Sequence, residues 1–171
     1  MALRGQGWHV SGVEADEDRL AAALDIGAVD AVGWDAEAEV SFVPTPVGQI
    51  PEMVVEALAV APGGVVTDVG GVKAPVVEAV GDPRFVGGHP MAGSEQEGVE
   101  GADPAMFVDA NWVLTPSGDT DDGAFALIRS VVTSLGAEVV TLAPDRHDSL
   151  VALVSHVPHL TASALMGMAA A

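Results

Sequence analysis

The chain has 171 residues, 49% of them hydrophobic, with 25 acidic side chains against 6 lysines and arginines and a net charge of −19. This composition suits one packed domain with part of a second, and its negative charge disfavours nucleic acid and anionic membranes as partners. The sequence contains no cysteine, no uninterrupted apolar run of eighteen residues and no signal peptide, so we expect a cytoplasmic protein without disulfides, thiolate metal sites or a membrane span.

A short helical segment at residues 1–7 precedes a predicted strand, residues 8–13, that ends on Glu14. A carboxylate there can bind the two hydroxyls of an adenosine ribose, which favours NAD over NADP, although a solvated turn acid is the commoner explanation. In dinucleotide-binding folds a Gly-x-Gly-x-x-Gly turn lies about 20 residues before this acid. Counting back from Glu14 passes Met1, so we expect the first strand and this turn to be absent from the chain.

Predicted strands and helices alternate through the rest of residues 1–143, which favours a doubly wound, parallel α/β sheet of the Rossmann type. Asp16 is expected to cap the first of these helices. The predicted strands are residues 39–43, 65–69, 111–115 and 138–142, and the predicted helices are residues 17–24, 75–81 and 125–135, with a further helix beginning near residue 50. Ala143 and Pro144 mark a domain boundary, after which the pattern changes to one long helix.

Residues 87–95, GGHPMAGSE, place an imidazole, a hydroxyl and a carboxylate close together after a short apolar run at residues 84–86. Glycine lets the backbone approach a ligand closely, and loops at strand ends commonly carry catalytic groups. Residue types alone leave a surface turn with an incidental histidine as an equal alternative for His89.

His156 and His159 are three residues apart in the predicted C-terminal helix and therefore share a face. Pro158 lacks a backbone N–H and is expected to kink the helix. Such a pair can be a metal site, but no third or fourth ligand at metalloenzyme spacing accompanies it, so no metal is expected.

Three stretches, in this order, resemble the prephenate dehydrogenase family, which includes the arogenate dehydrogenases. They are TDVGGVK at residues 67–73, GGHPMAGSE at residues 87–95 and SHVPH at residues 155–159. The resemblance runs from Trp8 to about Ala164. It implies a Rossmann-like NAD-binding domain at residues 1–143, the start of a helical substrate and dimerisation domain at residues 144–171, truncation at both ends, and a homodimer when full length.

The resemblance also implies NAD-dependent oxidative decarboxylation of prephenate or arogenate in tyrosine biosynthesis. His89 would accept the hydroxyl proton, a task that suits a neutral imidazole. The substrate-binding residues would be Ser94, Glu95, His156 and His159, and the NAD-binding residues would be Thr45, Pro46, Asp68 and Gly70 together with Glu14.

Gly71 departs from the family, which usually has a serine there whose hydroxyl contacts the catalytic histidine. Two alternatives therefore stay open. One is another NAD(P)-linked dehydrogenase of the same two-domain type, acting on a different hydroxy or imino acid. The other is a non-catalytic fragment that folds poorly, because strands 10–13 and 40–43 would have unpaired backbone groups.

Overall fold

A computed structural model of the protein describes residues 1–93, 98 and 101–169. Strands and helices alternate along most of the chain. The strands are β1 (Ser11–Gly12), β2 (Ala31–Val32), β3 (Val40–Val43), β4 (Val65–Asp68), β5 (Phe85–Pro90), β6 (Asn111–Thr115) and β7 (Glu138–Thr141). The α-helices are α1 (Ala2–Gly5), α2 (Glu17–Asp25), α3 (Ile50–Val60), α4 (Ala74–Val80), α5 (Asp122–Ser134), α6 (Pro144–Val151) and α7 (Val157–Ala169). A 3₁₀ turn at Val47–Gln49 leads into α3, and a π-helical segment at Ala152–His156 joins α6 to α7.

Five strands form the main sheet in the order β3-β4-β5-β6-β7, and β1 pairs with β2 in a separate two-stranded sheet. Every pair is parallel except β5 with β6, which is antiparallel with His89 opposite Val113. A wholly parallel sheet, as the sequence predicted, would require a crossover helix between β5 and β6. The described residues between these strands form turns and contain no α-helix, so β6 returns antiparallel.

Helices cover both faces of the five-stranded sheet, as the alternating sequence pattern predicts. Val65 of β4 packs in one cluster with Ile128 and Val132 of α5. Val66, the next residue, points to the other face and packs with Val54 of α3 and other apolar residues of α3 and α4. Side chains alternate between the two faces of a strand, so β4 contributes to both halves of the core. The Rossmann-like α/β architecture is thereby confirmed.

A groove of about 650 Å³ lies between the small sheet and the edge of the main sheet, lined by residues of both, among them Trp8, Val10, Trp34, Val40 and Phe42. In the dinucleotide-binding fold the strands lie side by side in the order 3-2-1-4-5-6, so the first strand lies between the second and the fourth. In this chain β1 takes the place of the second strand and β3 that of the fourth. The groove therefore lies where the sequence analysis expected a strand to be absent.

Local signals in the sequence placed most helix ends correctly. Asp16 accepts hydrogen bonds from the backbone N–H groups of Asp18 and Arg19 and caps α2, as predicted. Gly81 ends α4 in the left-handed conformation with φ of 58°, which a residue without Cβ adopts readily. The prediction was wrong about His89, because β5 continues through Pro90 and the histidine belongs to the strand rather than to the loop after it.

The C-terminal helical stretch, Pro144–Ala169, is long and apolar enough to cross a membrane by length and composition. The sequence predicted no membrane span, because it has no uninterrupted apolar run of eighteen residues. One such helix is weak support for a membrane location, and its first two turns bury His147 and Val151 against the sheet domain. The absence of a membrane partner stays a prediction, as does the domain boundary at residues 143 and 144.

Candidate active site

The candidate site lies where the parallel strands β3, β4 and β5 end next to one another. Val43 of β3 lies beside Asp68 of β4 in the sheet register, and β4 in turn pairs with β5. In open α/β sheets, ligands bind outside the carboxyl ends of the strands. Thr45, Gly70 and His89 follow or terminate these three strands, so the fold brings predicted cofactor and catalytic residues to one edge.

A buried ion pair fixes the ends of β4 and β5. The Asp68 carboxylate accepts a hydrogen bond from Lys73 Nζ, and both side chains are fully buried. The same carboxylate accepts the backbone N–H groups of Gly70, at 2.9 Å, and Gly88, at 3.0 Å. Lys73 Nζ also donates to the carbonyl of Gly88. Burial lowers the pKa of Lys73, and the neighbouring Asp68 carboxylate opposes this effect.

This ion pair bears on the predicted cofactor role of Asp68. Protein donors already engage its carboxylate, so the geometry favours a supporting role in which Asp68 holds the backbone of Gly70 and Gly88 in place. Gly88 fits only because it lacks a side chain, since a Cβ there would lie 2.6 Å from Asp68 O. A cofactor contact from Asp68 itself stays a prediction.

His89 lies at the end of β5, half-buried, with its Nδ1 atom 2.9 Å from Nε2 of His147. The two imidazole rings meet edge to face, with centroids 5.1 Å apart and planes at 74°. Nδ1 of His147 is in turn 2.8 Å from Oδ1 of Asp148. The structure therefore contains a chain of hydrogen bonds from His89 through His147 to Asp148.

Asp148 is firmly held at the end of this chain. Its Oδ1 accepts the backbone N–H of Lys73 at 2.8 Å, and its Oδ2 accepts that of Ala74 at 2.9 Å. These N–H groups begin α4, whose N-terminus has no side-chain cap of its own. Burial raises the pKa of Asp148, but the hydrogen bonds from His147, Ala74 and Lys73 outweigh it and hold the pKa below its ordinary value.

The surroundings of His89 favour its neutral form. Burial is the largest cause, and the neighbouring His147, Lys73 and His156 act in the same direction. Together they lower the pKa of His89 from 6.5 to about 4, while Asp148 acts in the opposite direction. A neutral imidazole can accept a proton at physiological pH, which is the requirement for a general base.

Gly71 lies directly against the imidazole of His89. A Cβ built on Gly71 would be 3.7 Å from both Nε2 and Cε1 of His89. A serine here would place its hydroxyl next to Nε2, which is the contact that the family resemblance implies. The chain lacks that hydroxyl, so among the described residues the hydrogen bond that orients the ring comes from the Nδ1 side.

The predicted cofactor residues have different environments. Thr45 follows β3, and its hydroxyl is buried without a hydrogen-bond partner among the described residues. Pro46 is exposed beside it, and Gly70 packs so tightly that a Cβ would lie 2.6 Å from Cδ1 of Ile50. Glu14 is exposed beyond β1, where Oε1 accepts the backbone N–H of Asp16 at 3.1 Å.

The structure describes two of the four predicted substrate-binding residues. Ser94 and Glu95 lie outside the described residues. His156 and His159 lie on exposed positions of the C-terminal helical stretch, and the charge of His156 contributes to the low pKa of His89. The helix is irregular at residues 152–156, just before Pro158, rather than at the proline itself. Proline lacks the N–H that would bond to Val154, which accounts for the irregularity one turn earlier.

Sequence analysis missed His147 and Asp148. The apolar residues that recur at helical spacing in the predicted long helix are Leu150, Leu153, Val154 and Val157, and the last three are exposed. The residues that pack on the domain are His147 and Val151, four apart on one face. A histidine in helical phase with an apolar residue, next to an aspartate, was the signal that could have identified the pair.

Comparison with known proteins gives a consistent picture. Residues 1–141 match the family described as prephenate dehydrogenase, nucleotide-binding domain. The chain is 32% identical over 175 residues to prephenate dehydrogenase of Bacillus subtilis (strain 168), covering 94% of this chain and 46% of that protein.

Two solved structures agree with this assignment. Synechocystis arogenate dehydrogenase superposes with a TM-score of 0.85 at 33% identity, over 98% of this chain and 63% of that one. Prephenate dehydrogenase from A. aeolicus, in complex with hydroxyphenyl propionate and NAD+, superposes with a TM-score of 0.90 at 28% identity, again over 98% and 63%. The chain spans about half the length of the Bacillus relative. Because the family match covers most of its residues, the chain belongs to the prephenate dehydrogenase family, and the match lies in that family's nucleotide-binding domain.

Proposed function

We propose that the protein carries out NAD-dependent oxidative decarboxylation of prephenate or arogenate, the dehydrogenase step of tyrosine biosynthesis. The observation that carries this proposal is that His89, hydrogen-bonded to His147, lies at the carboxyl edge of the sheet, within the residues that match this family's nucleotide-binding domain. The relative from A. aeolicus was solved with NAD+ and hydroxyphenyl propionate, which supports both the cofactor and an aromatic acid as the product class.

The residues at the sheet edge fit a dinucleotide. The buried hydroxyl of Thr45 lacks a partner among the described residues, and a buried polar group without a partner is costly. A ribose or amide group of NAD would supply that partner. Gly70 and Pro46 lie on the neighbouring strand ends, and Glu14 offers a carboxylate to the adenosine ribose. NAD, when bound, accepts the hydride from the substrate carbon that carries the hydroxyl.

His89 supplies the proton chemistry. Its Nε2 accepts the proton of the ring hydroxyl while the C–H bond of the same carbon breaks, and the carbinol becomes a ketone. The bond between the ring and its carboxylate then breaks, carbon dioxide leaves, and the electron pair enters the ring. Aromatisation drives this second step, so the protein need only hold the substrate in place and balance charge. The ring oxygen takes up a proton to give the phenol.

The substrate would be bound from the helical side by His156 and His159. Ser94 and Glu95, which follow β5 in the sequence, would bind it as well. His156 already lies close enough to affect the pKa of His89 electrostatically. We further infer a cytoplasmic enzyme that forms a homodimer through its helical domain, in keeping with the biosynthetic role.

The test is NADH formation by the protein expressed from its complete gene, with prephenate and arogenate supplied separately. Turnover of either supports the proposal and identifies the substrate. Turnover only of other hydroxy or imino acids would favour the related dehydrogenase, and failure to bind NAD or turn over any substrate would favour a non-catalytic protein.

A further inference from the structure

We propose that His147 and Asp148 are positioning residues for the base, fixing the protonation pattern of His89 so that Nδ1 carries the hydrogen and Nε2 is the atom that accepts the proton. The inference rests on the proposed function for its catalytic meaning, but the hydrogen-bond chain that carries it is a property of the structure alone.

The direction of the chain follows from its fixed end. Asp148 accepts two backbone N–H groups, and an ionised carboxylate has only acceptors. His147 must therefore donate from Nδ1 to Asp148, which leaves its Nε2 as the acceptor in the neutral ring. His89 must then donate from Nδ1 to His147, and its own Nε2 bears the lone pair.

Burial makes this arrangement specific. The side chain of His147 is 1% exposed, so water cannot substitute freely for either hydrogen bond. The edge-to-face contact of the two rings also restricts rotation of His89 about its side-chain bonds. Histidine bases in other enzymes are oriented in the same way, by a third group that holds the ring in place.

The chain also provides for the charge that forms during the reaction. When Nε2 of His89 takes the substrate proton, the Nδ1 hydrogen can shift toward Nε2 of His147, and the Asp148 carboxylate faces the resulting positive charge. His147 and Asp148 are unchanged after a turnover. The shared hydrogen moves back to Nδ1 of His89, and the substrate proton leaves to solvent from Nε2. In this chain the orientation of His89 depends more strongly on His147 and Asp148, because Gly71 offers no hydroxyl to His89.

The deciding experiment is ¹⁵N NMR of the histidine rings at neutral pH, with His89 assigned by the signals lost in His89→Asn. We expect Nδ1 of His89 to be protonated and Nε2 to be unprotonated in the wild-type protein. His147→Phe, which removes the acceptor but keeps a ring of similar size, should abolish this preference. His147→Gln, whose side-chain oxygen can still accept, should retain part of it.

Ser149→Ala is the matched control, because Ser149 lies on the same helix and is exposed, and its hydroxyl bonds only to the Asp145 carbonyl among the described residues. We expect it to leave the ring signals unchanged. A hydrogen on Nε2 of His89 in the wild type, or an unchanged pattern in folded His147→Phe, would overturn the proposal. If His147→Phe does not fold, Asp148→Asn read by the same signals decides the matter.

Kinetics then connect the pair to catalysis. His147→Phe should lower kcat by about 10- to 100-fold, part of the effect expected of a general base, while the KM for NAD stays near its wild-type value. A merely structural role would instead alter both parameters or neither. The NMR measurement needs no substrate, so its failure is distinguishable from failure of the proposed function, which would show as absent NADH formation.

Discussion

The first 42 residues and the remainder of the sheet domain differ sharply in how they are packed. No residue before Val43 is buried, and β1 and β2 contain two residues each. The remainder begins at Val43, the last residue of β3, and contains β4 to β7. These strands and the helices on both faces of the sheet bury two apolar clusters and the Asp68–Lys73 pair. His89 belongs to the packed region and Glu14 to the open one. The comparison teaches that this chain provides a rigid support for its base but only a loosely held residue for the predicted ribose contact.

The largest expected effect tests whether His89, in the packed region, is the group that accepts the substrate proton. His89→Asn should lower kcat by ~10²–10⁴-fold, because general-base assistance is lost, while NAD binding changes little. NADH formation and a separate NAD titration measure the two quantities. His9→Asn, an exposed histidine of the open region, is the control and should turn over normally. Near-normal turnover by His89→Asn would remove it from the catalytic role.

A matched pair of leucine substitutions tests the packing difference itself. Leu58 of α3 is 5% exposed and Leu24 of α2 is 42% exposed. Leu58→Ala should reduce the free energy of unfolding by about 2–5 kcal/mol through lost burial and a cavity, whereas Leu24→Ala should change it by about 0.5 kcal/mol or less. Urea denaturation measures both. Equal effects would show that the first 42 residues are packed as tightly as the rest.

The environment of His89 predicts an unusual dependence on pH. With a pKa of about 4 rather than 6.5, the base stays neutral as the pH falls, so kcat/KM should hold down to about pH 4–5. Stability should respond in the same range. The unfolded histidine takes up a proton below about pH 6.5, but the folded one resists until about pH 4, so stability falls as the pH falls through this window.

Denaturation of the wild type and of His89→Asn at several pH values isolates this contribution, since the variant lacks the titrating group. Loss of kcat/KM already near pH 6.5 would show that the folded environment does not lower the pKa.

Substitution of Glu14 tests whether the loosely packed first 42 residues contribute to cofactor binding. If its carboxylate binds the adenosine ribose, the protein should prefer NAD, because a 2′-phosphate would meet a like charge. Glu14→Gln should reduce the ratio of kcat/KM for NAD to that for NADP by about 10-fold, the equivalent of about 1.4 kcal/mol. Glu17→Gln, a nearby acid on α2, is the control. A wild-type enzyme that uses both cofactors equally would remove Glu14 from this role.

Gly71 gives the smallest expected effect. Gly71→Ser places a hydroxyl beside Nε2 of His89, where it can hydrogen-bond to the substrate hydroxyl held against that atom. It should raise kcat by ~2- to 10-fold, the value of one hydrogen bond of about 0.5–1.5 kcal/mol. Gly71→Ala adds the same Cβ without the hydroxyl and should not raise it. An equal gain in both variants would attribute the change to backbone stiffening.

Sequence patterns predicted the architecture because each parallel strand and its helix carry their own local signals. Alternation of elements indicated the doubly wound sheet, and Asp16 and Gly81 marked helix ends through caps that depend on nearest neighbours. The antiparallel β6 was missed because strand direction depends on how the chain returns, which no single residue encodes.

The site was predicted in the same uneven way. A short motif led to the prediction for His89, which stays a prediction, but the partner His147 lies 58 residues away along the chain. Only folding brings the two rings together, and neither local spacing nor composition reports such a contact. For Asp68 the motif suggested a contact with the cofactor. In the structure its buried carboxylate is instead paired with Lys73.

The double attachment of Asp148 has a mechanical consequence. Its carboxylate ties the first turns of α6 to the start of α4, and the adjacent His147 ties them to β5. Any swing of residues 157–169 relative to the sheet that preserves these bonds must therefore pivot beyond Asp148. The next irregular backbone is the π-helical segment at residues 152–156, and kinks in long helices commonly occur at such π-helical turns. A cleft that opened and closed around this pivot would move His156 and His159 while leaving the orientation of the base undisturbed.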